Sequence, residues 1–148
     1  MSKSNFFEQG MLDLIFRGNG LSQIADNAAS SAITDLWVAA HTTSPGEGGQ
    51  QGGNEAAYGG YSRVVTSRSS NDWSLSSGSS SGASVSPTTT LSWPQCSSGS
   101  ATLTHFSIGL TSATTDGEIL YFGTLTPSVS VSSGVTPQLT TGSSIRED

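Results

Sequence analysis

The chain has 148 residues, of which only 11% are charged, and a formal net charge of −6 at neutral pH. This length suits one domain with its own core, and the five basic side chains are too few for a protein that neutralises nucleic-acid phosphates or anionic lipids. The single cysteine, Cys96, excludes an intramolecular disulfide and indicates folding in a reducing cytoplasm. No apolar run approaches the ~20 residues of a membrane span.

The first predicted element is a helix over Asn5–Arg17. Asn5 suits the N-cap, Glu8 follows three residues later, and Gly18 suits the position after the last turn. The helix is so apolar that it must pack against something, either the sheet of its own domain or a neighbouring subunit. For the second alternative we predict these interface residues: Phe6, Phe7, Leu12 and Phe16. An interface from sheet edge to sheet edge is the other possibility.

Short strands with turn signals about every 8–12 residues dominate the rest of the chain, and Asp116-Gly117 predicts a hairpin turn. We predict one antiparallel β-sandwich or jelly-roll-like domain over residues 1–148. Segments 42–60 and 74–86 are predicted as surface loops, with a polar strand region as the alternative for the second, and 142–148 as a C-terminal tail. The predicted strands are Thr34–His41, Tyr61–Ser67, Pro87–Trp93, Ala101–Leu110, Ile119–Leu125, Ser128–Ser132 and Gln138–Thr141. Alternation within them predicts six buried side chains, which are Leu36, Val38, Phe106, Ile108, Leu120 and Phe122.

No pattern for catalysis is present. His41 and His105 are the only histidines, and they fall in separate predicted strands. Residues Gly78–Gly82 match the G-x-S-x-G motif of a nucleophile elbow, but the strand before it and the helix after it are missing. The chain has too few His, Cys and clustered carboxylate side chains for a zinc site. We therefore predict no catalytic residue, no cofactor and no metal site. Three tryptophans could form a carbohydrate-stacking platform, but their wide spacing favours core or interface packing for Trp37, Trp73 and Trp93.

Several short blocks occur in an order that resembles a family of small virion proteins from tailed bacteriophages. Members of that family include capsid cement (decoration) proteins and proteins labelled tail fibre-like. The blocks are Leu12–Gly18, Leu36–Thr42 followed directly by Ser44–Gly49, Gly60–Val64, Leu91–Pro94, Thr102–Ile108 and Gly117–Leu125. The resemblance implies a jelly-roll-like β fold and a place in the virion.

From this resemblance we expect a non-enzymatic cement protein that binds the outer surface of a bacteriophage head and bridges neighbouring major capsid proteins. It would be made in the host bacterial cytoplasm and would form a homo-oligomer, with a dimer as the first expectation and a trimer as the second. It would bind neither nucleic acid nor membrane. The alternatives are a structural or receptor-binding protein of the tail or tail fibre and, from another class, a carbohydrate-binding module.

Overall fold

The computed structural model describes residues 5–20, 33–47, 50–76, 82–113 and 117–147. The fold is mainly β, with nine strands and one helix among the described residues, which confirms the predicted β-sandwich class with one N-terminal helix. Every strand pair whose register is described is antiparallel. The elements are α1 (Asn5–Arg17), β1 (Asp35–His41), β2 (Val64–Ser67), β3 (Trp73–Ser76), β4 (Ala83–Pro87), β5 (Leu91–Ser92), β6 (Ser100–Gly109), β7 (Ile119–Ser132), β8 (Gln138–Leu139) and β9 (Ile145–Glu147).

The chain divides into two compact units. Unit 1 comprises Met1–Asp35, Ser67–Thr90 and Thr140–Asp148, and unit 2 comprises Leu36–Thr66 and Leu91–Leu139. The assignment of residues 1–148 to a single domain stays a prediction.

In unit 1, helix α1 packs against the three-stranded sheet β3-β4-β9. The helix has the predicted bounds, and Gly18 follows it with a φ of +69°, a conformation that glycine adopts without steric cost. The ring centroids of Phe16 and Trp73 lie 4.8 Å apart in an edge-to-face arrangement. Arg68 caps the helix, because its guanidinium donates to the carbonyl oxygens of Leu14 and Ile15, each at 2.7 Å.

Unit 2 is built on the sheet β2-β1-β6-β7, with the two-stranded β5-β8 as its second sheet. Its core forms because alternate residues of β1 and β6 point to one face, as the pattern predicted. The indole Nε1–H of Trp93 donates to the carbonyl oxygen of Val38 at 3.1 Å, so this large buried side chain also has a hydrogen-bond partner for its one polar group. Four of the six predicted core residues are buried, which confirms the prediction for Leu36, Val38, Phe106 and Ile108.

The structure corrects the prediction for two side chains on β7. Leu120 is only half-buried, and Phe122 is 37% exposed. Both strands predicted in this region, Ile119–Leu125 and Ser128–Ser132, belong to the single strand β7, which lies at the edge of its sheet. An edge strand has a neighbour on one side only, so alternation along it does not guarantee burial.

The structure also corrects the predicted loops and tail. Segment 74–86 is strand over its described residues except Gly82, since β4 pairs with both β3 and β9, and backbone pairing on both sides tolerates serine. The predicted tail 142–148 contains β9, in which Arg146 pairs with Ser84. Segment 42–60 is irregular, but it does not lie only on the surface, because its side chains Gln51 and Tyr58 are buried. Gly78–Ser81 and Asp116 lie outside the described residues.

Candidate functional site

The predicted helical interface is not supported at the two positions whose side chains the structure describes. Leu12 and Phe16 are fully buried within unit 1, where the helix packs on its own sheet. A side chain without exposed surface cannot reach a partner unless the unit opens. Phe6 and Phe7 lie in α1, but their side chains are outside the described part of the structure.

The tryptophans form no stacking platform. Trp73 and Trp93 are each 1% exposed and belong to the cores of different units, so neither face of these rings is available to a sugar. Trp37 is half-buried in β1. This confirms the packing interpretation for Trp73 and Trp93 and removes the observation on which the carbohydrate-binding alternative rested.

The histidines, predicted in separate strands, are direct cross-strand neighbours. His41 of β1 pairs with His105 of β6 in the register of the sheet. His41 is completely buried: its Nδ1–H donates to the carbonyl oxygen of Gly53 at 2.9 Å, and its Nε2 accepts from the hydroxyl of Ser107 at 2.7 Å. Burial lowers the pKa of His41 below its usual value, which favours the neutral ring. The Gly53 carbonyl can only accept a hydrogen bond, so it places the proton on Nδ1.

A buried ion pair lies in the same unit. Arg63 donates through Nε and Nη2 to the two carboxylate oxygens of Glu55, at 2.9 and 2.8 Å, and the two side chains are 0% and 6% exposed. The hydroxyl of Tyr61 donates to the same carboxylate at 2.8 Å and accepts from the backbone N–H of Ala40 at 2.9 Å. Burial raises the pKa of Tyr61, so it stays a donor. The charged groups are thus paired and hydrogen-bonded, as burial requires.

Gln51 joins this ion pair to the sheet. Its Nε2 donates to the carbonyl oxygen of Trp37 at 2.7 Å, and its Oε1 accepts from Nη1 of Arg63 at 3.0 Å. The side chain passes directly over Gly109, where a Cβ would collide with the Gln51 amide. Nη1 of Arg63 also donates to the carbonyl oxygen of Thr111 at 2.9 Å. We call this set the polar cluster; its members are His41, Gln51, Glu55, Tyr61, Arg63 and Ser107.

The polar cluster holds two irregular segments onto the sheet. His41 and Ser107 have the spacing of a base and a nucleophile, but both are fully buried, so no substrate reaches them. The group that orients the histidine is the Gly53 carbonyl, while the nearby carboxylate of Glu55 is occupied by Arg63. The cluster therefore fixes residues 51–55 and Thr111 against β1 and β6.

Sequence reasoning missed the roles of Arg63 and Arg68, which it counted only as scattered basic residues. One signal was available for Arg63, since it stands alone as a charge within the predicted strand Tyr61–Ser67. A charge at a strand position that faces a core requires a buried partner. No comparable signal marks Arg68, whose acceptors on α1 are more than fifty residues away along the chain.

The described residues include neither a cluster suited to a metal ion nor a membrane-spanning helix. Among them, no group of three or more His, Cys, Asp and Glu side chains is placed to hold a metal ion. Within the same residues, no helix combines the length and apolarity needed to cross a membrane. The one cysteine, Cys96, is buried and reduced, with its Sγ close to the carbonyl oxygens of Ser98 and Gly99.

Comparison with known families decides the class of protein. A family model described as podophage GP4 fiber I protein gp80 matches residues 2–146. The chain belongs to this family. No curated protein matches the chain. The family assignment confirms the expectation of a bacteriophage virion structural protein, and the chain is therefore a component of the virion.

Proposed function

We propose that this protein is a non-enzymatic structural component of a podophage fibre. The observation that carries the proposal is the family match, which extends over residues 2–146 and whose description names a fibre protein. The sequence alone favoured the capsid cement role and kept the fibre role as the alternative, and the family match reverses this preference.

The geometry supports a role in packing rather than in catalysis. The polar residues with catalytic potential, His41 and Ser107, are fully buried in unit 2 and hydrogen-bonded to each other. The edge strand β7 carries serine and threonine in place of charges, and residues 119–144 contain no Asp, Glu, Lys or Arg. Neutral strands of this kind suit contact with other protein subunits, because no charge must be desolvated when they pack.

The partners that we propose depend on where in the virion the protein lies. A fibre protein would bind copies of itself and its neighbours in the fibre, so we keep the homo-oligomer, with a dimer first and a trimer second, as part of the proposal. A cement protein would instead bind the major capsid protein on the outer surface of the head. Because Leu12 and Phe16 are buried, the proposed contacts lie on the sheets rather than on the inner stripe of α1.

Quantitative mass spectrometry of separated heads and tails distinguishes the two locations. The fibre proposal predicts that the protein travels with the tail fraction and has a copy number far below that of the major capsid protein. Recovery with the heads at a copy number close to that of the major capsid protein would contradict the proposal and support the cement role. A known capsid protein and a known tail protein of the same virion serve as controls for the separation.

A further inference from the structure

The segment that follows helix α1 contains a chemically labile dipeptide, Asn19-Gly20. Of the five asparagines in the chain, only Asn19 precedes a glycine. Both residues are exposed and come directly after Gly18, which ends the helix. In the part of the chain that the structure describes, no acceptor engages the backbone N–H of Gly20. That nitrogen is therefore accessible to its neighbour.

The chemistry of this dipeptide is an attack of the Gly20 backbone nitrogen on Cγ of the Asn19 side chain. Glycine has no Cβ that would shield the nitrogen or restrict the backbone, and the attack is favoured because both groups belong to one chain. The N–Cγ bond forms, the Cγ–Nδ2 bond breaks, and the proton of the Gly20 N–H leaves with ammonia, which gives a cyclic succinimide. Water then opens either C–N bond of the ring, so the product is aspartate or isoaspartate, without any oxidant or reductant.

Asn19 is also the residue that closes the C-terminal end of α1. Its backbone N–H donates to the carbonyl oxygen of Asp13 at 3.3 Å, and its side-chain Nδ2 donates to Oδ2 of the same residue at 3.0 Å. The other carboxylate oxygen of Asp13 accepts from Nη1 of Arg17 at 2.8 Å. The side-chain contact of Asn19 is exposed, so it opens locally and does not prevent the attack.

We propose that Asn19 is a site of spontaneous deamidation, and that the modification weakens the end of helix α1. The product replaces a hydrogen-bond donor with a carboxylate that faces the carboxylate of Asp13, so an attraction becomes a repulsion. The new charge also lies at the C-terminus of the helix, where a negative charge is unfavourable. A virion protein is not replaced after the particle is released, so the modified fraction increases as the virion ages. The inference does not depend on the fibre location.

Tandem mass spectrometry of peptides tests the chemistry on the purified full chain during incubation in mildly alkaline buffer. Deamidation adds one mass unit, and Asn19 should gain it faster than Asn54 and Asn71, which are also exposed but precede Glu and Asp. Gly20→Ala should reduce the modified fraction by more than half, because the added Cβ hinders the attack, and Gly20 has no positive φ that would exclude alanine. Equal rates at the three asparagines, or an unchanged rate in Gly20→Ala, would overturn the proposal. The comparison among asparagines needs no variant.

Urea-induced unfolding tests the structural consequence with Asn19→Asp, which reproduces the charge of the product. Its unfolding midpoint should lie below that of the matched control Asn19→Ala, which removes the same side-chain hydrogen bond without adding a charge. The difference should decrease at high salt concentration, because the contact with Asp13 is exposed. Trp73 reports on this end of the helix, since its ring contacts Phe16 in the last turn. A midpoint for Asn19→Asp equal to or above that of Asn19→Ala would refute the repulsion.

Discussion

Replacing Arg63 with methionine should strongly destabilise the protein. The substitution retains a long, unbranched side chain but removes two hydrogen bonds to Glu55 and leaves that carboxylate buried without its cation. Breaking a buried ion pair in this way costs about 3–5 kcal/mol, out of the 5–15 kcal/mol that typically separate folded and unfolded states. The matched control is Arg17→Met, because the Arg17–Asp13 pair has the same 2.8 Å contact but side chains that are 28% and 27% exposed. It should cost no more than about 1 kcal/mol.

Urea-induced unfolding followed by tryptophan fluorescence measures both variants. Trp37 and Trp93 report on unit 2, whereas Trp73 reports on unit 1. Adding Glu55→Gln to Arg63→Met should recover part of the loss, since the double variant buries no unpaired charge and still offers Tyr61 an acceptor. The reasoning is refuted if Arg63→Met costs no more than Arg17→Met, or if the two substitutions at Arg63 and Glu55 are simply additive.

Three other outcomes are expected. Because burial lowers the pKa of His41, the unfolded state binds more protons than the folded state below about pH 6.5. The free energy of unfolding should therefore fall between that pH and pH 5, by at most about 1.4 kcal/mol per pH unit. Urea titrations of His41→Gln should lack this pH dependence, and an unchanged dependence would assign it to other groups. Trp93→Phe should cost about 1 kcal/mol more than Trp73→Phe, since only Trp93 makes an indole hydrogen bond, to Val38, among the described residues; equal losses of thermal stability would contradict this. Glu8→Met should raise the free energy of unfolding by about 1 kcal/mol, because Oε2 of Glu8 is buried without a partner in the described part of the chain; a loss of stability would show that the carboxylate is needed.

Local sequence patterns predicted those helices and strands whose determinants lie close together along the chain. Helix α1 was predicted with its observed bounds, because a capping residue, an apolar face and Gly18 all lie within fourteen residues. Strands β1 and β6 were predicted within one residue at each end, since clear alternation marks a strand with one buried face. For segment 74–86 a polar strand was predicted only as the alternative to a loop, and β9 was not predicted, because serine-rich or charged strands are stabilised by neighbouring backbone and leave no hydrophobic signature.

The polar cluster could not be predicted for a different reason. Its contacts join residues far apart in sequence: His41 meets Ser107 across 66 positions, and Arg63 meets Thr111 across 48. Which residues meet depends on the pairing of β1 with β6 and on the path of segment 42–60, neither of which is encoded in a local pattern. The exposure of Phe122 was missed likewise, since alternation does not reveal whether a strand lies at the edge or the centre of a sheet.

A cryo-EM reconstruction of the intact virion tests the fibre proposal most directly. The account predicts that the four-stranded sheet of unit 2, with its long edge strand β7, fits density in the fibre, and that no equivalent density covers the outer surface of the head. Density for this chain between neighbouring capsid proteins, with none in the fibre, would contradict the account and restore the cement role.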